Sequence, residues 1–288
     1  MSALALALVF IAAFTHATWN FAAKRSGGGL PFVWLTGLVS FGFYIPAIIG
    51  YCLWTKPDLP TVSLLLFLVS GVVKTGYALL LQRGYRHGDF SLIYPLARGT
   101  GPLLSTIAAI ALFGERPTAL ALAGGALIIG SVFYLTGGLS LWHTDRAHLR
   151  TGLLYGLTCG CFIATYTVWD QHAVSHHALP PVIYDCGTQL VMCSILTPFA
   201  WPRRAEAAQA WREHRGKVLT IGFLGPVGYV LILTAMKFTP VSYIAPAREI
   251  SILIGTFFGA KLLKEADGAR RLLAAGGMVA GIIALAFG

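Results

Sequence analysis

The sequence predicts an all-α membrane protein of ten transmembrane helices, arranged as two inverted five-helix repeats. Three observations lead to this fold class: the composition, the lengths of the apolar segments, and an internal repeat at an offset of 150 residues. Of the 288 residues, 56% are hydrophobic and only 11% are charged, whereas soluble domains carry about 25% charged residues. The composition therefore excludes an ordinary soluble domain.

Ten apolar segments are long enough to cross a bilayer, which takes about 20 residues in a helix. Turn signals such as Ser26-Gly27-Gly28-Gly29 and Pro180-Pro181 separate them. The predicted helices lie near residues 2–23, 31–54, 61–83, 89–113, 117–137, 151–171, 180–201, 217–236, 240–263 and 268–287. The connectors are short, so we predict no soluble domain.

The second half of the chain repeats the first. At an offset of 150 residues the sequence aligns Thr15 with Thr165, Trp19 with Trp169, Pro31 with Pro181, Gly37 with Gly187, Arg98 with Arg248, Thr106 with Thr256 and Glu115 with Glu265. We therefore predict one repeat in residues 1–140 and another in residues 151–288. Because five is odd, the second copy enters the membrane from the opposite side, which places a binding site near the midplane between the halves.

Lysine and arginine are distributed unevenly over the predicted connectors. The connectors after helices 1, 3, 5, 7 and 9 hold fifteen of these residues, and the remaining connectors hold three. The positive-inside rule then places the first set in the cytoplasm and both termini outside. We predict a multi-pass protein of the bacterial inner (plasma) membrane. The net charge of +10 is explained by orientation, so nucleic acid is not an expected partner.

An arginine stands at equivalent places in the two repeats. Arg98 and Arg248 each lie about 12–14 Å from the entry face of their helix, near the middle of a hydrocarbon core about 30 Å thick. An arginine at this depth needs a protein partner or a water-filled cavity. With Lys74 in helix 3, the pair predicts a site for an anionic or zwitterionic organic metabolite. The sequence leaves one alternative open, in which these cations form structural salt bridges with Glu249, Asp185 and Asp170.

Further candidates follow from polar or aromatic character inside apolar spans. The other predicted substrate-binding residues are Trp19, Asn20, Tyr77, Tyr94, Trp169, Tyr229 and Ser251. The proton-coupling candidates are Glu249, ranked first, then Asp185, together with His16 and Asp170. Asp170 is expected to close helix 6, and both aspartates are expected to reach interfacial water. No spacing typical of a metal or cofactor site is present, and His172, His176 and His177 are expected to form a solvated cap.

The run Gly99-Thr100-Gly101-Pro102 follows Arg98 directly. Glycine and proline weaken a helix, so this run predicts a local opening of helix 4 beside the site. The second copy, Glu249-Ile250-Ser251-Ile252, lacks these residues. We therefore expect helix 4, and not helix 9, to act as the gate.

Three motifs carry a family resemblance: the first helix ends in His16-Ala17-Thr18-Trp19-Asn20-Phe21-Ala22-Ala23-Lys24, the fourth helices end in Gly114-Glu115 and Lys264-Glu265, and Gly/Ala-rich fifth helices follow. With these motifs the chain resembles the EamA type of the drug/metabolite transporter superfamily. The resemblance implies a secondary transporter with a central cavity lined by helices 1, 3, 4, 6, 8 and 9. Its expected partners are a small-molecule substrate, H⁺ or another coupling ion, and the lipid bilayer, with the protein a monomer or homodimer. Many relatives are drawn with both termini in the cytoplasm, opposite to the charge count here.

A competing hypothesis is an integral membrane enzyme or a lipid-handling protein. Either would need a catalytic cluster at one membrane face, where the sequence offers only charged connectors. We therefore expect no enzymatic activity.

Overall fold

The computed structural model describes residues 1–24, 29–87, 90–135, 146–254 and 268–288, and within these ranges every regular element is a helix. The helices are α1 (Ala3–Lys24), α2 (Leu30–Thr55), α3 (Ser63–His87), α4 (Phe90–Phe113), α5 (Ala119–Leu135), α6 (Arg146–Gln171), α7 (Pro181–Ala200), α8 (Arg204–Met236), α9 (Val241–Ala247) and α10 (Gly268–Phe287). A π-helical turn, His172–His176, continues α6, and a 3₁₀ turn, Trp201–Arg203, joins α7 to α8.

Six of the described helical stretches are long and apolar enough to cross a membrane. They are Ala3–Ala23, Leu30–Thr55, Ser63–Leu81, Leu96–Phe113, Arg150–His176 and Pro181–Met236, and the shorter apolar helices are Ala119–Tyr134 and Leu273–Phe287. Leucine, isoleucine and phenylalanine side chains on many of these helices are exposed, as Leu53 and Leu64 illustrate. Apolar surface on this scale matches a lipid environment, and the protein is an integral membrane protein.

The predicted connector between helices 7 and 8 is wrong, because residues 204–216 are helical. This part of α8 is rich in alanine, the strongest helix former, and alternates it with charged residues. A kink at His214 (φ −131°, ψ 26°) separates it from the apolar remainder of the helix. The 7–8 connector is therefore an amphipathic helix that packs on α2.

The helix that was predicted to be interrupted is continuous, and the interruption lies in a different helix. Helix α4 is continuous through Gly99 and Pro102, and the Thr100 hydroxyl donates to the Leu96 carbonyl at 2.5 Å. The interruption lies instead in the second half of the chain, where α9 ends at Ala247 and helical structure resumes at residues 250–254. There the Glu249 N–H bonds to the Pro246 carbonyl, three residues back, at 3.1 Å. Tight 3₁₀ bonding of this kind within a helical segment is typical of a hinge.

The two halves of the chain pack into each other. Helix α1 lies on α8, α2 on α7 and α8, α3 on α6 and α7, α4 on α6 and α9, and α5 on α10. The Met1 amino group donates to the carbonyls of Leu285 (3.3 Å) and Ala286 (3.0 Å), so both ends of the chain lie together. The site described below consequently takes residues from both halves.

Close approach of α5 and α10 depends on glycine. A Cβ atom added to Gly281 would lie 2.7 Å from the Gly124 carbonyl oxygen, whereas one added to Gly276 would meet nothing within 4 Å. We expect Gly281→Leu to destabilise the protein by about 1–3 kcal/mol through overpacking, and Gly276→Leu to leave it unchanged. Thermal unfolding in detergent measures both. Equal unfolding midpoints for the two variants would show that this contact does not limit stability.

Candidate functional site

The predicted charged residues form two groups inside the bundle. The lysine cluster contains Lys74 of α3, Asp170 of α6 and Asp185 of α7. Lys74 Nζ lies 3.0 Å from Asp170 Oδ2 and 3.8 Å from Asp185 Oδ1, and donates to Thr188 Oγ1 at 3.2 Å. One ammonium group is thus shared by two carboxylates, which gives this cluster an excess of negative charge.

Asp170 is fully enclosed, with 0% of its surface exposed. Its Oδ1 accepts hydrogen bonds from Ser70 Oγ (2.6 Å) and Tyr184 OH (2.7 Å), and its Oδ2 accepts one from Tyr229 OH. Asp170 lies one residue before the end of α6, as expected, but a π-helical turn follows the helix and the carboxylate is enclosed, so the expected contact with interfacial water is wrong. Three hydroxyl donors and the Lys74 ammonium group therefore surround this carboxylate and satisfy its oxygens.

Asp185 has fewer partners. It accepts a hydrogen bond from Tyr44 OH of α2 on Oδ2, and it is 8% exposed. The predicted contact with interfacial water is therefore wrong for this residue as well. The negative charge of the Asp185 carboxylate is only partly neutralised, because Lys74 lies closer to Asp170 than to Asp185.

The arginine cluster contains Arg98, Arg248, Glu249, Ser251 and His16. Arg98 Nε lies 3.0 Å from Glu249 Oε2, and Arg98 Nη2 donates to Ser251 Oγ at 3.3 Å. Glu249 is 1% exposed and pairs with Arg98 of α4. The salt-bridge alternative that the sequence left open therefore describes Lys74 and Arg98.

Arg248 differs from the other two cations. Its Nη1 donates to Thr167 Oγ1 of α6 at 3.5 Å, and no carboxylate oxygen of the described part of the chain lies within 4.0 Å of its guanidinium. The side chain lies deep among protein atoms, within electrostatic range of Arg98 and Glu249, yet it keeps some accessible surface. A cation that is deep, accessible and without a close anion can accept an anionic ligand.

Two tyrosines connect the clusters. The Tyr229 ring lies 4.3 Å below Lys74 Nζ, and the Tyr166 ring lies 5.9 Å from the same atom. Both phenols are also within electrostatic range of Arg248. His16 of α1 lies within electrostatic range of both arginines. The two clusters therefore form one polar region, with a negative end at Asp185 and a positive end at Arg248.

Only some of the other residues that were predicted to bind substrate lie beside the polar region. The Trp19 ring contacts His16 edge-on at 4.9 Å between centroids, and Tyr77 contacts Tyr166 at 6.0 Å. Trp169 Nε1 donates to the Leu66 carbonyl at 3.1 Å, and exposed Asn20 donates to the His16 carbonyl of its own helix at 2.9 Å. The side chain of Tyr94 lies outside the described residues. Trp19 and Tyr77 thus border the polar region, whereas Asn20 does not join it.

The start of α9 is fixed by a residue of the first half. Glu115, after α4, accepts hydrogen bonds from the N–H groups of Val241 (2.8 Å) and Ser242 (2.9 Å). A carboxylate at a helix N-terminus satisfies free N–H groups and complements the helix dipole. Glu265, which the sequence aligns with Glu115 at an offset of 150 residues, lies outside the described residues. This contact anchors the helix that leads to Arg248.

The histidines after α6 form a group of their own. The rings of His172, His176 and His177 lie 4.8–5.2 Å apart between centroids, and Phe113 stacks on His172 at 5.9 Å. Within the described ranges, no set of three or more His, Cys, Asp or Glu residues has the arrangement of a metal site.

Several partners in the site were not predicted from the sequence. Tyr44, Ser70 and Thr188 all bind members of the lysine cluster. Ser70 precedes Lys74 by one helical turn, a spacing that places both on one face of α3. The spacing of Ser70 and Lys74 could have predicted that Ser70 belongs to the site. No sequence feature near Tyr44 predicts its contact with Asp185, 141 residues away.

Comparison with known proteins gives a family and a fold. The EamA-like transporter family matches residues 3–137 and 150–287. A protein of known crystal structure superimposes with a TM-score of 0.76 at 17% sequence identity, over 99% of this chain and 96% of its own. That similarity concerns the fold alone. No curated protein matches the sequence.

Proposed function

Because the chain belongs to the EamA-like transporter family, we propose that it is a secondary active transporter for a small anionic or zwitterionic organic metabolite. The substrate class covers amino acids, organic acids and phosphorylated or phosphonate compounds. Arg248 carries the proposal, since it is a deep, accessible guanidinium with no carboxylate of the described ranges within 4.0 Å. A substrate carboxylate or phosphoryl group would bind it in bidentate geometry.

The opposite end of the polar region suits a cationic group. The described charges of the whole polar region comprise three cations, Lys74, Arg98 and Arg248, and three carboxylates. Two of these carboxylates, Asp170 and Asp185, lie at the end opposite Arg248. A zwitterion would place its anionic group at Arg248 and its ammonium group toward Asp185. A purely anionic substrate would use the positive end alone.

We propose that transport proceeds by alternating access between two inverted repeats. The match of one family to both halves of the chain supports the repeat. The 3₁₀ turn at Arg248–Glu249 supports a hinge next to the substrate, in α9 instead of α4. Movement at this turn would change the position of Arg248 and Glu249 together. The bacterial inner membrane and termini outside remain our proposal for location, with a monomer or homodimer as the assembly.

Transport and specificity are tested in two steps. A thermal-shift screen of purified protein against amino acids, dicarboxylates and phosphorylated metabolites identifies a stabilising compound. Proteoliposomes then measure counterflow of that compound. Saturable counterflow is expected for a carrier, whereas flux that rises linearly with concentration would contradict alternating access.

We propose Asp185 as the proton-coupling group, ahead of Glu249. Glu249 is held by Arg98 at 3.0 Å, and Asp170 has a full set of donors. Asp185 faces Lys74 from α3, Tyr44 from α2 and the like charge of Asp170 from α6. A proton on Asp185 would remove the excess negative charge of the lysine cluster.

The coupling proposal predicts a separation of two activities. With a purely anionic substrate, which does not contact Asp185, Asp185→Asn should abolish acceleration of uptake by an inward proton gradient and leave counterflow at equal pH within about twofold. Glu213→Gln, at an exposed position of α8, provides a charge-loss control that keeps both activities. Continued stimulation of Asp185→Asn by the gradient would move the coupling site elsewhere.

A further inference from the structure

A concave surface lies outside the polar region, between α2 and the amphipathic start of α8. It is a cleft of about 490 Å³ with a mainly apolar lining. Trp34, Leu35 and Val39 form the α2 wall. The α8 wall consists of Arg204, Ala207, Ala208, Trp211 and Arg212.

The α8 residues recur at intervals of three and four, so they form one stripe along the helix. Small alanines in the middle of the stripe leave space above them, and Ala207 is buried against Trp34 in the same apolar cluster. Arg204 and Arg212 stand at the two ends of the stripe, about 12 Å apart along the axis. The cleft thus has an apolar floor and a guanidinium group at each end.

These two arginines differ from their neighbour Arg203. Arg203 forms a bidentate ion pair with Glu206, with both distances 2.7 Å. Within the described ranges, no carboxylate oxygen lies within 4.0 Å of either Arg204 or Arg212. The Arg204 guanidinium instead stacks over the Trp201 ring at 5.3 Å. Both cleft arginines are therefore available to an external anion.

The surroundings match the membrane–water interface. Trp201 is exposed, Arg215 stacks over Trp211 at 5.4 Å, and the kink at His214 turns this segment away from the apolar part of α8. Tryptophan and arginine are enriched where acyl chains meet head groups. A mixed apolar and cationic cleft at this level fits a molecule with the same two parts.

The charge of the first part of α8 distinguishes two candidate occupants of the cleft, a second copy of this chain and an anionic lipid. Residues 203–217 contain five basic and two acidic side chains. In a two-fold symmetric contact a second copy would bring this same basic surface against itself. Like-charge repulsion disfavours that contact, whereas an anionic lipid gains from the charge.

We propose that this cleft binds an anionic phospholipid. One acyl chain lies along Trp34, Val39 and Ala208, and the positive charges of Arg204 and Arg212 attract the anionic head group to the cleft. The site holds the first part of α8 against α2 and is independent of the transported substrate.

Native mass spectrometry of the detergent-solubilised full chain tests the proposal, with phosphatidylglycerol as probe and phosphatidylcholine of the same acyl chains as reference. Wild-type protein should bind phosphatidylglycerol preferentially. The double variant Arg204→Gln/Arg212→Gln should bind it about 30-fold more weakly. The variant Ala208→Phe, which fills the cleft without changing charge, should bind it more weakly to a similar extent.

The matched control is Lys56→Gln/Lys237→Gln, which removes two exposed charges outside the cleft and should bind phosphatidylglycerol like wild type. Equal loss in this control, or equal binding of the two lipids to wild type, would overturn the proposal. So would a dimer mass that disappears in both cleft variants, since a second copy would then occupy the cleft. Thermal unfolding of each variant verifies that the fold is retained.

Discussion

Arg248→Gln is expected to weaken substrate binding by about 30-fold or more and to leave the unfolding temperature nearly unchanged. Within the described ranges the guanidinium donates one hydrogen bond, to Thr167 at 3.5 Å, and no carboxylate oxygen lies within 4.0 Å of it. Its removal therefore costs little in the empty protein. The effect appears in the affinity for substrate, because the substrate anion then lacks its guanidinium partner. Titration of the stabilising compound against purified protein measures the affinity.

Arg248→Lys separates charge from geometry. Lysine keeps the positive charge but lacks the planar fork that binds a carboxylate or phosphate through two parallel hydrogen bonds. We expect intermediate affinity for this variant. If Arg248→Gln instead binds the compound like wild type but unfolds at a much lower temperature, the residue is structural and the substrate site lies elsewhere.

Asp170→Asn should cause the largest loss of stability, about 3–5 kcal/mol, because it leaves a buried ammonium group without its nearest anion. Lys74 lies 3.0 Å from Asp170, and the fully enclosed carboxylate also accepts three hydroxyl hydrogen bonds. Asp185, at 3.8 Å from Lys74, can replace this interaction only in part. Thermal unfolding in detergent measures the loss.

A double-mutant cycle assigns the loss to the ion pair. If the uncompensated ammonium is the cause, Lys74→Met in the Asp170→Asn background should recover a large part of the stability. Asp185→Asn is the matched carboxylate control and should lower stability less than Asp170→Asn. Simple additivity of the two changes at positions 74 and 170 would mean that the hydroxyl bonds, and not the ion pair, hold Asp170.

Helix positions were predictable to the extent that a local property determined them. The predicted helix at residues 89–113 corresponds to α4 at Phe90–Phe113, since apolar length alone sets such a span. The start of α8 was misplaced because charged residues do not prevent a helix whose backbone can continue. Alanine-rich sequence kept residues 204–216 helical despite their charge.

Depth along a helix could be read from the sequence, but direction and partner could not. The sequence placed Lys74, Arg98 and Arg248 near mid-span, yet pairing depends on which helices of the two halves become neighbours. The Gly-Thr-Gly-Pro run illustrates the same limit. Gly101 packs against Ile163 of α6, so its small size serves close packing where a helix break was expected. The break in α9 follows instead from the proline at Pro246, two residues before Arg248.

The packing of the two halves into each other sets an order of events during synthesis. Arg98 is synthesised before Glu249, the carboxylate with which it pairs, because Glu249 is 151 residues later in the chain. At a translation rate of about 5–20 residues per second, the delay is roughly 8–30 s. Lys74 is likewise synthesised before Asp170 and Asp185, the two carboxylates that lie near it. The ion pairs of Lys74 and Arg98 that join the two halves therefore form only after the second half has been synthesised.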